Sequence, residues 1–170
     1  PEEVRKALIE SARDESHGLH RYMPNAGLAD VRAVIAESLS PECKVELSAN
    51  DVVMVCGAAG GLNITLKTLL DPGDEVIIFA PYFVEYLFYA DNHGGKAVAV
   101  PTLDDFRLNF EALQNALNEK TKAVIINSPN NPTGVLYSRQ ELQELARVLK
   151  AHSDKLGKVS YLISDDPYRE

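Results

Sequence analysis

The sequence predicts an α/β fold: a three-layer αβα arrangement with a mainly parallel sheet. Three observations carry that expectation. Short apolar runs alternate with segments of helical periodicity along most of the chain. The runs at 76–79, 97–100, 123–126 and 161–163 are mostly continuously apolar rather than alternating, as strands covered on both faces must be. The segments between them are long enough for the right-handed crossovers that join parallel neighbours.

Each element has a local reason. Val4, Ala7, Leu8 and Ala12 form one apolar stripe at helical spacing, and Val31, Val34, Ile35 and Leu39 form another. Between them, residues 17–27 read as a loop, with Tyr22, Pro24, Asn25 and Gly27. The apolar run 52–55 reads as a short strand, followed by a turn, Gly57-Ala58-Ala59-Gly60-Gly61, and a helix carrying Leu62, Leu66, Leu69 and Leu70. Asp71-Pro72-Gly73-Asp74 stops that helix by removing a donor and admitting positive φ. Further helical patterns lie near 82–91, 109–118 and 138–150. Asn109 is placed to cap the second of these, and Ser138 with Glu141 forms a capping box for the third, whose Leu142, Leu145, Ala146 and Leu149 face one way. There is no internal repeat, low-complexity stretch or linker, so residues 1–170 read as one domain.

Composition narrows the function classes. With 170 residues and 45% hydrophobic positions, the chain can bury roughly 70% of its unfolded surface, which excludes wholesale disorder. A net charge of −8 with scattered basic residues argues against a nucleic-acid groove. The longest apolar stretch is broken by Pro81, too short to span a bilayer, and no signal-peptide pattern precedes it. Two cysteines, Cys43 and Cys56, make neither a disulfide framework nor a metal motif and suit a reducing, cytoplasmic setting.

In an open parallel sheet, ligands bind beyond the carboxyl ends of the strands. Read there, the sequence offers the Gly57–Gly61 cluster, then Ala80-Pro81-Tyr82-Phe83, then Asn127 through Gly134, then Ser164-Asp165-Asp166-Pro167-Tyr168. Small residues at a helix start let backbone N–H groups approach a phosphate, though a tight strand–helix turn uses the same residues. No Gly-Lys-Ser/Thr follows, and no acidic residue ends the next strand, so neither a P-loop nor a dinucleotide fingerprint is present. Phe83 is suited to stack on a planar ring or simply to pack; Asn131 to donate an amide hydrogen bond or to serve a proline turn. Asp165 and Tyr168 are open to a ligand role or to an Asx turn with a surface tyrosine. His17 and His20 lack a second ligand pair for a metal, the Asp104-Asp105 and Asp165-Asp166 pairs read as capping carboxylates, and Ser128 and Ser164 lack a nucleophile elbow.

Together these motifs resemble the large domain of class I/II pyridoxal-phosphate-dependent aminotransferases, near the aspartate aminotransferase-like branch. The resemblance rests on Tyr22-Met23-Pro24-Asn25-Ala26-Gly27 with Arg32, the Gly57–Gly61 turn, Ala80-Pro81-Tyr82-Phe83, Asn130-Asn131-Pro132-Thr133-Gly134 and Asp165-x-x-Tyr168. It implies pyridoxal 5′-phosphate as cofactor, with Asp165 pairing the pyridine nitrogen and Phe83 stacked on the ring. It implies that Tyr168 and Asn131 donate to the phenolic oxygen, with Asn131 also near the substrate carboxylate. Backbone N–H groups of Ala58 and Ala59 would cradle the phosphate, with no hydroxyl or guanidinium beside them. Tyr22 would reach the cofactor phosphate of a neighbouring subunit, implying a homodimer with shared sites. Cis peptides before Pro81 and Pro132 are implied as well.

The resemblance also places the Schiff-base lysine and the carboxylate-binding arginine beyond Glu170, so no catalytic residue is assigned within the chain. On this reading the ends at Pro1 and Glu170 are cut ends of a longer enzyme that moves an amino group between an amino acid, with aspartate suggested by the branch, and a 2-oxo acid. A carbon–sulfur lyase or decarboxylase of the same fold, an inactive folded fragment, and a nucleotide-binding module are the competing expectations.

Overall fold

The computed structural model describes residues 1–16 and 21–168, which group into two compact units, Pro1–Val55 and Cys56–Glu170. The His17 and His20 pair lies outside the described residues.

In the first unit, α1 (Glu2–Arg13) buries none of its residues, and α2 (Ala29–Cys43) buries Ala36. A 3-10 turn, Ala49–Asp51, opens on a capping box made by Ser48 and Asp51. Residues 52–55, expected as a strand, are extended but join no sheet. Their backbone groups are taken locally instead: Met54 N donates to Ala26 O at 2.9 Å, and Arg32 donates to Val52 O, Ala49 O and Gly27 O. Gly27 sits at φ +94, and a Cβ there would fall 2.4 Å from the Met54 side chain, so the crossing of these two segments requires glycine.

The second unit is the αβα sandwich. Helix α3 (Gly57–Leu69) leads to β1 (Glu75–Ala80), α4 (Glu85–Asp91), β2 (Lys96–Pro101), α5 (Phe110–Ala116), β3 (Thr121–Asn127), α6 (Arg139–Leu156) and β4 (Tyr161–Asp165). All three strand pairings are parallel, in the order β2-β1-β3-β4. Alternation along β1 and β3 divides the core in two. Val76, Ile78, Ala123 and Ile125 meet Leu62, Leu66, Tyr86 and Ala90 of α3 and α4 on one face. Ile77, Phe79, Val124 and Ile126 meet Leu113, Leu145 and Leu149 of α5 and α6 on the other. Each fully buried aliphatic side chain contributes about 1.5–3 kcal/mol of transfer free energy, so these two clusters hold the layers together.

The caps are where the sequence put them. Asn109 Oδ1 accepts from Ala112 N at 3.0 Å, and Ser138 and Glu141 close their box. Burial would raise the Glu141 carboxyl, but the hydrogen bonds from Arg107 and Ser138 outweigh it and hold it down to about 2. Helix α6 runs to Leu156, six residues past the expected end, because nothing in 151–156 breaks it until Gly157 turns left-handed at φ 63. Helix α4 starts later than expected, with Phe83 ahead of its first turn. The Gly57–Gly61 cluster is the opening turn of α3 itself rather than a loop before it. The bonds before Pro81, Pro129 and Pro132 are cis, two of them expected.

The strand order reverses between β1 and β3: the chain leaves β1 outward to β2, then returns past it to β3. At such a point the crossovers part and leave a crevice at the carboxyl edge.

Candidate active site

That crevice holds a cavity of about 250 Å³, walled by the start of α3 and by the carboxyl ends of β1, β3 and β4. Ala58 and Ala59 come from the start of α3, Phe83 from the segment after β1, Asn131 from the loop after β3, and Asp165 and Tyr168 from the end of β4 and beyond. Six of the seven residues singled out in the sequence therefore line one space. The seventh, Tyr22, lies in the first unit with its side chain fully exposed.

Helix α3 differs from the other helices of this unit in having neither a side-chain cap nor an acidic residue in its first turn, whereas α4, also without a side-chain cap, has Glu85 there. The N-cap of α3 is Cys56. By contrast α5 and α6 are capped by Asn109 and Ser138. The first N–H groups of a helix have no intrahelical acceptor and carry the positive end of its dipole. In α3 they open onto the cavity behind alanine side chains, an arrangement suited to an anion.

The carboxylate is held at two points. Tyr86 Oη donates to Asp165 Oδ2 at 2.6 Å, and Asn127 Nδ2 donates to the Asp165 carbonyl at 2.8 Å. Asn127 Oδ1 in turn accepts from Asn131 N at 2.6 Å, so one buried amide joins the end of β4 to the loop after β3. That loop braces itself: Asn130 Oδ1 accepts from both the amide and the hydroxyl of Thr133, and Gly134 N donates to Asn130 O at 2.7 Å. Asp166, one residue on, accepts from Ser164 Oγ at 2.9 Å and does not line this cavity.

Burial, reinforced by the bond to Asp165, pushes the Tyr86 phenol well above the usual tyrosine range. Burial and a hydrogen bond to Glu85 push Tyr89 up to about 12. Both phenols thus stay protonated and act as donors to carboxylates at neutral pH. Phe83 packs edge-on against Tyr86, ring centroids 5.7 Å apart at 81°, which fixes its plane on the cavity wall.

Sequence reasoning missed Tyr86, Glu85 and Tyr89, and gave no role to Asn127, although that residue opens one of the strand-end runs it singled out. Two signals were available. Tyr86 lies one helical turn after Phe83, and Asn127 is a polar residue closing an otherwise apolar buried strand. The other polar candidates have structural partners: Ser128 Oγ accepts from Tyr137 N, and Asp105 accepts from Arg107 N. Among the described residues there is no cluster of His, Cys, Asp and Glu able to hold a metal ion, and both cysteines are free and exposed.

A parallel αβα unit with a carboxylate, an aromatic wall and a helix start without a side-chain cap around one crevice belongs to the class of α/β proteins whose strand-end crevice suits a planar, anionic ligand. Comparison with known proteins gives that class its family: the chain belongs to the class I and II aminotransferases, whose family model matches residues 1–168. It is 37% identical over 166 residues to the aspartate aminotransferase of Bacillus subtilis (strain 168), covering 96% of this chain and 41% of that protein. It is 36% identical over 170 residues to a probable aspartate/prephenate aminotransferase of Aquifex aeolicus, covering 99% and 41%. Among solved structures, an amino transferase from Eubacterium rectale superposes with a TM-score of 0.92 at 36% identity, covering 99% of this chain and 43% of that one. An aromatic aminotransferase from Pyrococcus horikoshii gives 0.85 at 35%, covering 98% and 43%. The chain thus spans about two fifths of the length of these relatives.

Aminotransferases of this family depend on pyridoxal 5′-phosphate. The donor set here fits that group. A carboxylate suits a protonated ring nitrogen, the Phe83 ring suits a flat heterocycle, and free helix N–H groups suit a phosphate. Among the described residues no helix is long and apolar enough to cross a membrane.

Proposed function

We propose that this chain forms the cofactor-holding part of an amino-acid aminotransferase, which moves an amino group between an amino acid and a 2-oxo acid. The observation that carries the reading is Asp165. One of its carboxylate oxygens is engaged by Tyr86, while Oδ1 accepts no hydrogen bond from any described residue and its side chain lines the cavity. A carboxylate so placed pairs with a ring N–H and keeps the ring cationic.

When bound, pyridoxal 5′-phosphate supplies an electron sink for charge developing at the substrate Cα. The chain's own residues then have separable tasks. Asp165 holds the proton on the ring nitrogen. Phe83 covers one ring face and excludes water from it. The N–H groups of Ala58 and Ala59 bind the phosphate without a side-chain donor. Asn131 and Tyr168 donate to the phenolic oxygen, with Asn131 also placed toward the substrate carboxylate. Tyr22 reaches the cofactor of a second copy, in a homodimer with shared sites. The names of the relatives favour aspartate and its oxo acid as substrates, and the two unpaired cysteines suit the cytoplasm as the setting. On this reading residues 1–170, with both compact units, belong to the cofactor-binding large domain.

The test is calorimetric titration of the chain with pyridoxamine 5′-phosphate, which lacks the aldehyde and so reports non-covalent recognition alone. The expected result is saturable binding by the wild type and at least a tenfold loss in Asp165→Asn, about 1.4 kcal/mol. Binding of NAD with none of pyridoxamine 5′-phosphate would overturn the reading.

A further inference from the structure

We propose that Tyr86 is a positioning residue for the cofactor's ring nitrogen: its phenol fixes the Asp165 carboxylate so that Oδ1 alone is presented to the ring N–H. The inference rests on the reading of Asp165 given above.

Asp165 is the last residue of an edge strand, paired on one side only. Its main chain is held by Asn127, but that bond leaves the side-chain torsions free. Tyr86 supplies the missing constraint from a different element. It is only 3% exposed, locked in the core between α4 and the sheet, and ringed by Phe83 and Tyr89. A donor anchored so firmly fixes both the rotation of the carboxylate and which oxygen is spent. The phenol's high proton affinity matters here, because a phenolate beside Asp165 would repel it instead of ordering it. Glu85 does not compete for Tyr86, since it accepts from Tyr89.

The experiment is nitrogen NMR of ring-labelled pyridoxamine 5′-phosphate bound to the 170-residue chain at one neutral pH. Removing the phenol leaves the Asp165 carboxylate free to turn away from the ring N–H, and the ring nitrogen then holds its proton less well. In Tyr86→Phe the signal is expected to move toward that of unprotonated pyridine, with affinity lowered about tenfold to a hundredfold. Tyr137→Phe, which removes a buried phenol on the opposite face of the sheet, is expected to leave the signal in place. An unchanged signal in Tyr86→Phe, or the same displacement in Tyr137→Phe, would overturn the inference even if affinity fell. Should the phenylalanine variant not fold, 3-fluorotyrosine at position 86, a stronger donor, is expected to move the signal the other way; no movement would overturn it equally. Failure of the reading itself is distinct: the wild type would then not bind, or Asp165→Asn would bind as well as the wild type.

Discussion

Replacing Asn127 with alanine removes two hydrogen bonds at one stroke, to the Asp165 carbonyl and from the Asn131 amide. Each contributes about 0.5–1.5 kcal/mol net, and a partner left unpaired in a part-buried site adds about 1 kcal/mol or more. Asn127 is 3% exposed, so little water is at hand to replace it. The expected loss is about 2–4 kcal/mol, a large share of the roughly 5–15 kcal/mol that holds a domain together. In urea, with a slope of about 2 kcal/mol per molar, the midpoint should fall by roughly 1–2 M at unchanged slope. Hydrogen exchange at the Asn131 amide gives the local readout, since that N–H loses its only acceptor. Asn127→Asp should be at least as costly, because it keeps an acceptor for Asn131 but sets a buried oxygen against the Asp165 carbonyl. A loss below about 1 kcal/mol, with Asn131 protection intact, would refute the bridge.

Glu141→Gln weakens both the α6 cap and the two-pronged pairing with Arg107, and should cost about 1–2 kcal/mol at pH 7. The folded carboxyl titrates near 2 rather than 4.5, so its contribution is whole above about pH 4.5 and is lost as pH falls toward 2. Stability curves of variant and wild type should therefore converge over that window, and parallel curves would argue against it. Tyr89 is shifted the other way, from 10 to about 12, so its contribution is whole below pH 10 and is lost as pH rises through 12. Phenolate absorbance should lose a component near pH 12 in Tyr89→Phe, and loss of one near pH 10 instead would contradict the Glu85 bond.

The legible parts of this chain were those set by near neighbours. Ser138 with Glu141, Asn109 with Ala112, and the Asp71–Asp74 stop all act within one turn of backbone, so residue type and spacing sufficed. The apolar runs of β1 and β3 announced strands covered on both faces for the same reason. Residues 52–55 failed because an apolar run does not say what pairs with it; here Arg32 and Ala26 claim its backbone before any strand can. Gathering the candidate site at strand ends was legible from the parallel topology, but its bracing was not. Tyr86 meets Asp165 across 79 positions and Asn127 meets it across 38, separations over which only the packed core decides who touches whom.

The two borders of the sheet are not alike. β2 opens on Lys96 and closes on Pro101, a charge and a missing donor of the kind that discourage further pairing. Among the described residues β4 pairs with β3 alone, with Tyr161 and Leu162 each about 40% exposed beside it. A bare ladder is a template, and the nearest complementary template in a concentrated solution is the same border of another molecule. The charge of −8 supplies the opposing force, holding like molecules apart over roughly 10 Å in 0.1 M salt. Added salt shortens that reach while leaving the ladder untouched, so pairing through the β4 border is expected to rise with ionic strength.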